Sequence, residues 1–292
     1  MTSRTSSAWL DAQYNNLARI PDHARYFARW AQRSALAREH PGAQLELRYG
    51  DGPNETLDVV APAVSKRARA AARLAPVLVF IHGGWWRALD KRDHSFVAPP
   101  FVERGALVVV PNYALCPAVS IETIALQMTR ALAWTHANAA RFGGDPTRIV
   151  VAGHSAGGHL AAMMLCCDWR RVDVGLPARL VKAALAISGL FDLEPLRRTP
   201  YLQRDLRLTK AAVRRLSPAG FAAPRGPLLA VVGGAESEEF LRQNALVRAA
   251  WGKRAVPVCE CVPGANHLAV LECLADPASR VHARAAQLLD AS

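Results

Sequence analysis

An α/β fold, with an eight-stranded and mostly parallel sheet covered by helices on both faces, is what the order of apolar runs in this chain predicts. Three observations carry that expectation. Eight short β-type runs recur along the 292 residues. Helical stretches separate the later ones, the alternation that builds a parallel sheet. Composition is globular, with 51% hydrophobic and 21% charged residues and ample length for one large core.

Taken in order, residues 6 to about 40 are amphipathic and predict helices, with Trp9, Leu10, Leu17, Tyr26, Phe27, Trp30 and Leu36 set among arginines and Pro21 opening a second helix. They would form a small N-terminal helical cap on a single domain, 1–43 within 1–292. Strands follow at Leu45 to Tyr49 and Thr56 to Val60. No helix separates these two, so they predict an antiparallel edge hairpin through Gly50-Asp51-Gly52-Pro53. Further strands are expected at Val77 to Ile81, Leu107 to Val110, Ile149 to Ala152, Ala183 to Ile187, Leu228 to Val232 and Val256 to Val262. Helical stretches lie near 94–103, 120–140, 156–167, 236–250 and 279–290. Ala61 to Ala75 reads as an exposed connection, and Pro195 to Pro224 as a small cap over the strand ends.

Bulk properties exclude several classes. No apolar run approaches the ~18 residues of a membrane span, and the first residues show no hydrophobic secretory core, so a soluble, cytoplasmic protein is expected. The net charge of +12 is scattered in short arginine clusters without interleaved aromatics, which predicts a solvated surface rather than a nucleic-acid site. The six cysteines lack paired zinc spacing and read as buried free thiols. His-Glu-x-x-His is absent, so neither metal nor cofactor is expected.

The informative feature is Gly153-His154-Ser155-Ala156-Gly157, directly behind the run Arg148 to Ala152 and directly ahead of the helix-forming His159 to Leu165. Strand, Gly-x-Ser-x-Gly, helix is a nucleophile elbow, which lifts a serine hydroxyl off the end of a sheet. Small residues are needed because the serine backbone is strained. A serine hydroxyl is a weak nucleophile without an oriented base. In this arrangement the acid and then the histidine follow the serine in the chain. His267 fits the base, in a loop at a strand end; His282, within the C-terminal helix, reads as a surface residue. Glu236, in the exit loop after Leu228 to Val232, fits the acid. Asp192 is the rival, or else a helix cap near Leu193. Glu238 and Glu239 read as solvated. His82-Gly83-Gly84-Trp85-Trp86 follows a strand at once, so the amides of Gly83, Gly84 and Ala156 are candidates for an oxyanion hole. Trp85 and Trp86 are candidate substrate-binding residues, His82 a brace for the loop, and His154 and His159 packing or wall residues.

These residues resemble the α/β-hydrolase superfamily, in its HGG-type esterase branch, and more closely the serine-dependent kynurenine formamidase (arylformamidase) family. Gln13-Tyr14-Asn15-Asn16, Tyr49-Gly50, the His82 to Trp86 stretch, Gly153 to His159, Ser188 to Leu193, Gly234 to Phe240 and Asn266-His267 carry the resemblance, over roughly residues 11 to 278. It implies an α/β-hydrolase fold with nucleophile Ser155, base His267 and acid Glu236, where animal members carry aspartate. The family commonly has tyrosine at the position of Trp85.

The resemblance implies cleavage of a short-acyl amide or ester, with N-formylkynurenine-like formanilides as the leading substrates and short-chain carboxylesters as the alternative. A ligand receptor on the same scaffold is disfavoured because every triad candidate is present. The expected partner is a small acyl substrate, with no nucleic acid and no membrane; a homodimer is left open.

Overall fold

The computed structural model describes residues 6–62 and 74–292. Most of the connection expected over Ala61 to Ala75 therefore lies outside the described residues, as do Met1 to Thr5. The chain opens with helices α1 (Ser7–Tyr14), α2 (Asn16–Arg19) and α3 (His23–Arg38). Ser6 and Asn15 cap the first two, each side chain accepting a backbone N–H three residues on. Next come strands β1 (Ala43–Arg48) and β2 (Thr56–Val60), then β3 (Ala75–Ile81), helix α4 (Ala98–Glu103) and β4 (Leu107–Pro111).

Helix α5 (Ile121–Asn138), strand β5 (Gly144–His154) and helices α6 (Ala156–Leu165) and α7 (Trp169–Val172) follow. Strand β6 (Val181–Ile187) leads into α8 (Glu194–Arg197), α9 (Pro200–Leu206) and α10 (Lys210–Leu216). The last elements are β7 (Leu228–Gly233), α11 (Glu238–Ala255), β8 (Val258–Val262), α12 (Ala269–Glu272) and α13 (Arg280–Ala291).

The strands form one sheet in the order β1-β2-β4-β3-β5-β6-β7-β8. β1 pairs with β2, and β2 with β4, antiparallel; every pairing from β4 through to β8 is parallel. Fold and hairpin are thus as the alternation of runs predicts.

The two-residue period of a strand sorts side chains to the two faces. Val77, Val79 and Ile81 of β3 enter one core with Leu107, Val109, Ile149 and Val151, beneath residues of α5, α6 and α11. Leu78 and Phe80 enter the other with Val108, Val110, Val150 and Ala152, beneath α3, α4 and α13. Central strands buried on both faces read as unbroken apolar runs. That is why they were easy to locate.

Two charged or polar side chains and most of the cysteines depart from the expectation. His282 is not on the surface: it is buried, stacked at 4.4 Å on Phe101, with Nδ1 donating to the Leu274 carbonyl at 3.0 Å, because it lies on the inward face of α13. Glu239 is likewise buried. It accepts the Tyr14 hydroxyl at 2.7 Å and a two-pronged contact from Arg242. Of the six cysteines only Cys116 is buried: Cys166, Cys167, Cys259 and Cys273 are half-buried, and Cys261 is exposed because β8 is the edge of the sheet. The described cysteines are all free thiols.

Beside the first hairpin sits an ionic cluster around a buried Lys91–Asp58 pair. Lys91, 1% exposed, reaches Asp58 at 2.8 Å and Glu46 at 2.6 Å, and Arg38 pairs with both acids. It ties α3, β1 and β2 to the loop after β3.

Candidate active site

Five adjacent strands, β3, β5, β6, β7 and β8, deliver one loop each to the carboxyl edge of the sheet. That is where an open α/β sheet builds its site. Ser155 ends β5 with φ 56° and ψ −118°, in a region few non-glycine residues visit, and it serves as N-cap of α6. The turn survives because its neighbours are small. A Cβ on Gly157 would lie 2.0 Å from the Ile81 carbonyl oxygen.

The loop after β3 abuts this elbow: a Cβ on Gly83 would approach the Ser155 Cβ to 3.2 Å. Gly84, Trp85 and Trp86 all have positive φ, at 102°, 54° and 54°, so the main chain coils left-handed for three residues. The Tyr113 hydroxyl sits 2.9 Å from the His82 carbonyl and 3.1 Å from that of Gly83. In a trans peptide the next N–H points the opposite way. The Gly83 and Gly84 amides are therefore turned away from Tyr113. His82 braces the same loop. It stacks on Tyr113 at 4.1 Å, its Nδ1 lies 2.8 Å from the Gly83 oxygen, and full burial pushes its imidazole down to about 3, keeping it neutral.

On the other side, His267 Nδ1 lies 2.6 Å from Glu236 Oε2. A carboxylate oxygen only accepts, so Nδ1 carries the hydrogen and Nε2 is left with the lone pair. Glu236 Oε1 receives the Ser188 hydroxyl at 2.5 Å and the Gly233 N–H at 2.7 Å. Ser188 itself sits at φ 51° at the end of β6. Asp192 does not reach the histidine. Its Oδ1 accepts the Glu194 N–H at 3.0 Å, at the start of α8.

His267 is held in place on two more sides. The Phe240 ring packs on it at 4.4 Å. His154 packs at 4.6 Å and donates from Nε2 to the His267 carbonyl at 2.8 Å. Burial depresses the His154 imidazole well below its ordinary value, so it is neutral too.

Ser155, His154 and His267 open on one cavity of about 240 Å³, at the small end of ligand pockets. Its walls are mostly apolar: Leu17, Phe27 and Trp30 come from the N-terminal helices, Trp85 from the loop after β3, Tyr201 from α9 and Leu268 from the loop after β8. Arg87 is the one formally charged residue lining it. The two tryptophans separate. Trp85 lines the cavity, whereas Trp86 is wholly buried beneath the loop, edge-on to His159 at 5.0 Å, and does not reach it. His159 donates to the Leu216 carbonyl at 2.7 Å, and burial lowers it to about 4.

Sequence reasoning brought forward Ser155, Glu236, His267, Gly83, Gly84, Ala156 and Trp85, and the structure gathers all of them at one edge. It missed Arg87, Ser188, Tyr113 and Tyr201. Only Ser188, a small residue at a strand end, carried a local signal. Among the described residues no group of three or more His, Cys, Asp or Glu side chains is placed to hold a metal ion, and no helix is long and apolar enough to cross a membrane.

The chain matches the family model described as BD-FAE over residues 57–207, just over half its length. Kynurenine formamidase of Danio rerio is 30% identical over 239 residues, covering 80% of this chain and 77% of that protein. The crystal structure of a candidate thioesterase from Silicibacter sp. superposes with a TM-score of 0.79 at 34% identity, covering 94% of this chain and 97% of its own. Esterase B of Lactobacillus rhamnosis, at 19% identity, shares the fold with a TM-score of 0.73 over 96% of each chain.

Proposed function

The chain belongs to the BD-FAE family of α/β-hydrolases and is a hydrolase of the esterase and amidase kind, and on that premise we propose that it is an arylformamidase cleaving N-formylkynurenine-like formanilides through Ser155, His267 and Glu236. One observation carries the reading: a serine on a strained strand-to-helix turn shares a small cavity with a histidine whose far nitrogen is anchored to a buried glutamate.

His267 Nε2 takes the proton from Ser155 Oγ as the hydroxyl attacks the acyl carbon, and Glu236 holds the imidazole in the tautomer that can do so. The carbonyl oxygen becomes an oxyanion. The Gly83 and Gly84 amides and the Ala156 N–H at the start of α6 receive it; a single such donor contributes about 2.7–4 kcal/mol to the transition state. His267 then returns its proton to the departing aniline nitrogen. Water, deprotonated by the same histidine, attacks the acyl carbon of the serine ester and releases formate.

Two features support a small acyl group with a flat leaving group. The cavity is small, and aromatic side chains dominate its walls. Trp85, packed at 5.7 Å on Tyr14 and 6.0 Å on Phe240, is held rigidly against the loop that carries the amides. The names of the Danio and Silicibacter proteins support a formamidase and a thioesterase chemistry respectively. Short-chain carboxylesterase activity uses the same groups and is the second reading, favoured by the apolar walls.

The test compares N-formylkynurenine with p-nitrophenyl esters from formyl to octanoyl, for wild type and Ser155→Ala. Ser155→Ala is expected to lose roughly 10⁴-fold or more in kcat, and activity to fall steeply with acyl length. Full activity in the variant sinks the mechanism. Rates that hold level or rise towards octanoyl sink the short-acyl reading.

A further inference from the structure

A formyl group fills little of a 240 Å³ cavity. On the short-acyl reading, which this inference rests on, nearly all of the space belongs to the leaving group, and whatever lines it selects that group. The lining holds a single formal charge, Arg87, and no carboxylate. The Arg87 side chain is 16% exposed, so most of its guanidinium is withdrawn from solvent. Its protein contacts all use one nitrogen: Nη1 donates to the Tyr201 carbonyl at 3.0 Å and to Asp205 Oδ2 at 2.5 Å. The guanidinium lies over the Tyr201 ring at 4.4 Å, which fixes its plane. Nε and Nη2 have no protein acceptor among the described residues, although a guanidinium presents five donors in a fork that matches a carboxylate.

Asp205 does not simply neutralise this cation, since Arg204 Nε also stands 3.5 Å from it. Two guanidinium groups share one carboxylate, Arg204 from the solvent side and Arg87 from the cavity side.

We infer that Arg87 is the specificity-determining residue of the site, receiving through Nε and Nη2 a carboxylate carried by the substrate's leaving group. Asp205 orients Arg87 from behind and competes with the substrate for its charge. An aromatic leaving group with an anionic arm thus lies against Trp85 and Tyr201 with the arm on Arg87.

The test uses two substrate pairs that differ only in a carboxylate: N-formylkynurenine and its methyl ester, and 3-(4-acetoxyphenyl)propanoate and its methyl ester. The quantity read is the ratio of kcat/KM for acid over ester. In wild type the ratio exceeds one; Arg87→Gln lowers it about tenfold or more, as loss of a charge-assisted fork does, and Arg87→Lys keeps part of it. Asp205→Asn raises the ratio by releasing Arg87. A purely structural ion pair predicts instead that Asp205→Asn and Arg87→Gln behave alike, and that outcome, or an unchanged ratio in Arg87→Gln, overturns the inference. If wild type ignores both formamides but cleaves both acetates, the formamidase reading fails, and Arg87 is judged on the acetate pair alone. Should the variants not fold, inhibition of wild type decides. Tighter inhibition by 3-phenylpropanoate than by 3-phenylpropanamide supports the role, and equal inhibition overturns it.

Discussion

Ser188 shows how much of this site rests on single atoms. Its hydroxyl is one of three donors converging on the Glu236 carboxylate, with His267 and the Gly233 amide. Ser188→Ala leaves the other two and removes one constraint on the acid. A neutral donor to a charged acceptor is worth about 1.5 kcal/mol, so kcat is expected to fall about tenfold with KM little changed. Stopped-assay kinetics on any cleaved substrate check this, and an unchanged kcat would show that His267 and the Gly233 amide hold the glutamate without the hydroxyl. At the same scale Trp85 and Trp86 are adjacent and chemically identical, yet one meets the cavity and the other the core. The reason is the left-handed coil of residues 84–86, and nothing in a Trp-Trp pair announces it. Position favours Glu236 over Asp192 as the acid, yet both follow a strand and the pattern of runs leaves Asp192 as a rival. Only the fold shows that one carboxylate caps α8 while the other reaches the imidazole. Arg87 was illegible for a different cause. Its role depends on Tyr201, 114 residues away, lying beneath it.

Elements were easier to read than their faces. Strands buried on both sides announced themselves as apolar runs, and Ser120, Ser237 and Ser279 mark helix starts by accepting N–H groups of the first turn. The ionic cluster was not legible, because Glu46, Asp58 and Lys91 look like solvated charges on amphipathic elements. In the fold Lys91 is the cation between β1 and β2, and Asp58 is buried with it. Lys91→Met leaves Asp58 with Arg38 alone and Glu46 without its closest cation. Breaking such a pair from one side costs about 3 kcal/mol, so the urea midpoint should drop substantially. A midpoint within error of wild type would mean that the methionine packs well enough to replace the ammonium. Helices α1 and α3 carry a similar lesson. Their apolar stripe predicted a cap, but their specific anchors are Tyr14 on Glu239, Tyr26 on Asn266, and Arg29 with Trp30 on Glu272. None of those partners lies within 200 residues of its mate.

For the molecule as a whole, the buried histidines set how stability responds to acid. His82, His154 and His159 are all wholly buried, with desolvation as the leading cause of their depressed pKa values, about 3 for His82 and about 4 for His159. Unfolded, each titrates near 6.5. Below that value the unfolded chain takes up protons that the folded chain refuses, so stability is full above pH 6.5 and falls as the pH drops towards 4. Each histidine contributes on the order of 1 kcal/mol of loss per pH unit in that window. The urea midpoint measured at pH 7.5 and at pH 5 should therefore differ markedly, and His159→Gln should reduce the difference. Equal midpoints at the two pH values would mean that these imidazoles are protonated in the native state.

The distance along the chain between the cavity's walls also governs when the site can exist during synthesis. Leu17, Phe27 and Trp30 emerge from the ribosome well before His267 and Leu268. The anchors that dock the first helices, Glu239, Asn266 and Glu272, are also made late. Translation must therefore pass residue 267 before Ser155 can meet His267, and residue 272 before α3 has all of its anchors. Until then the nascent chain is catalytically silent, and its early apolar helices have only chaperones or the unfinished sheet to cover them.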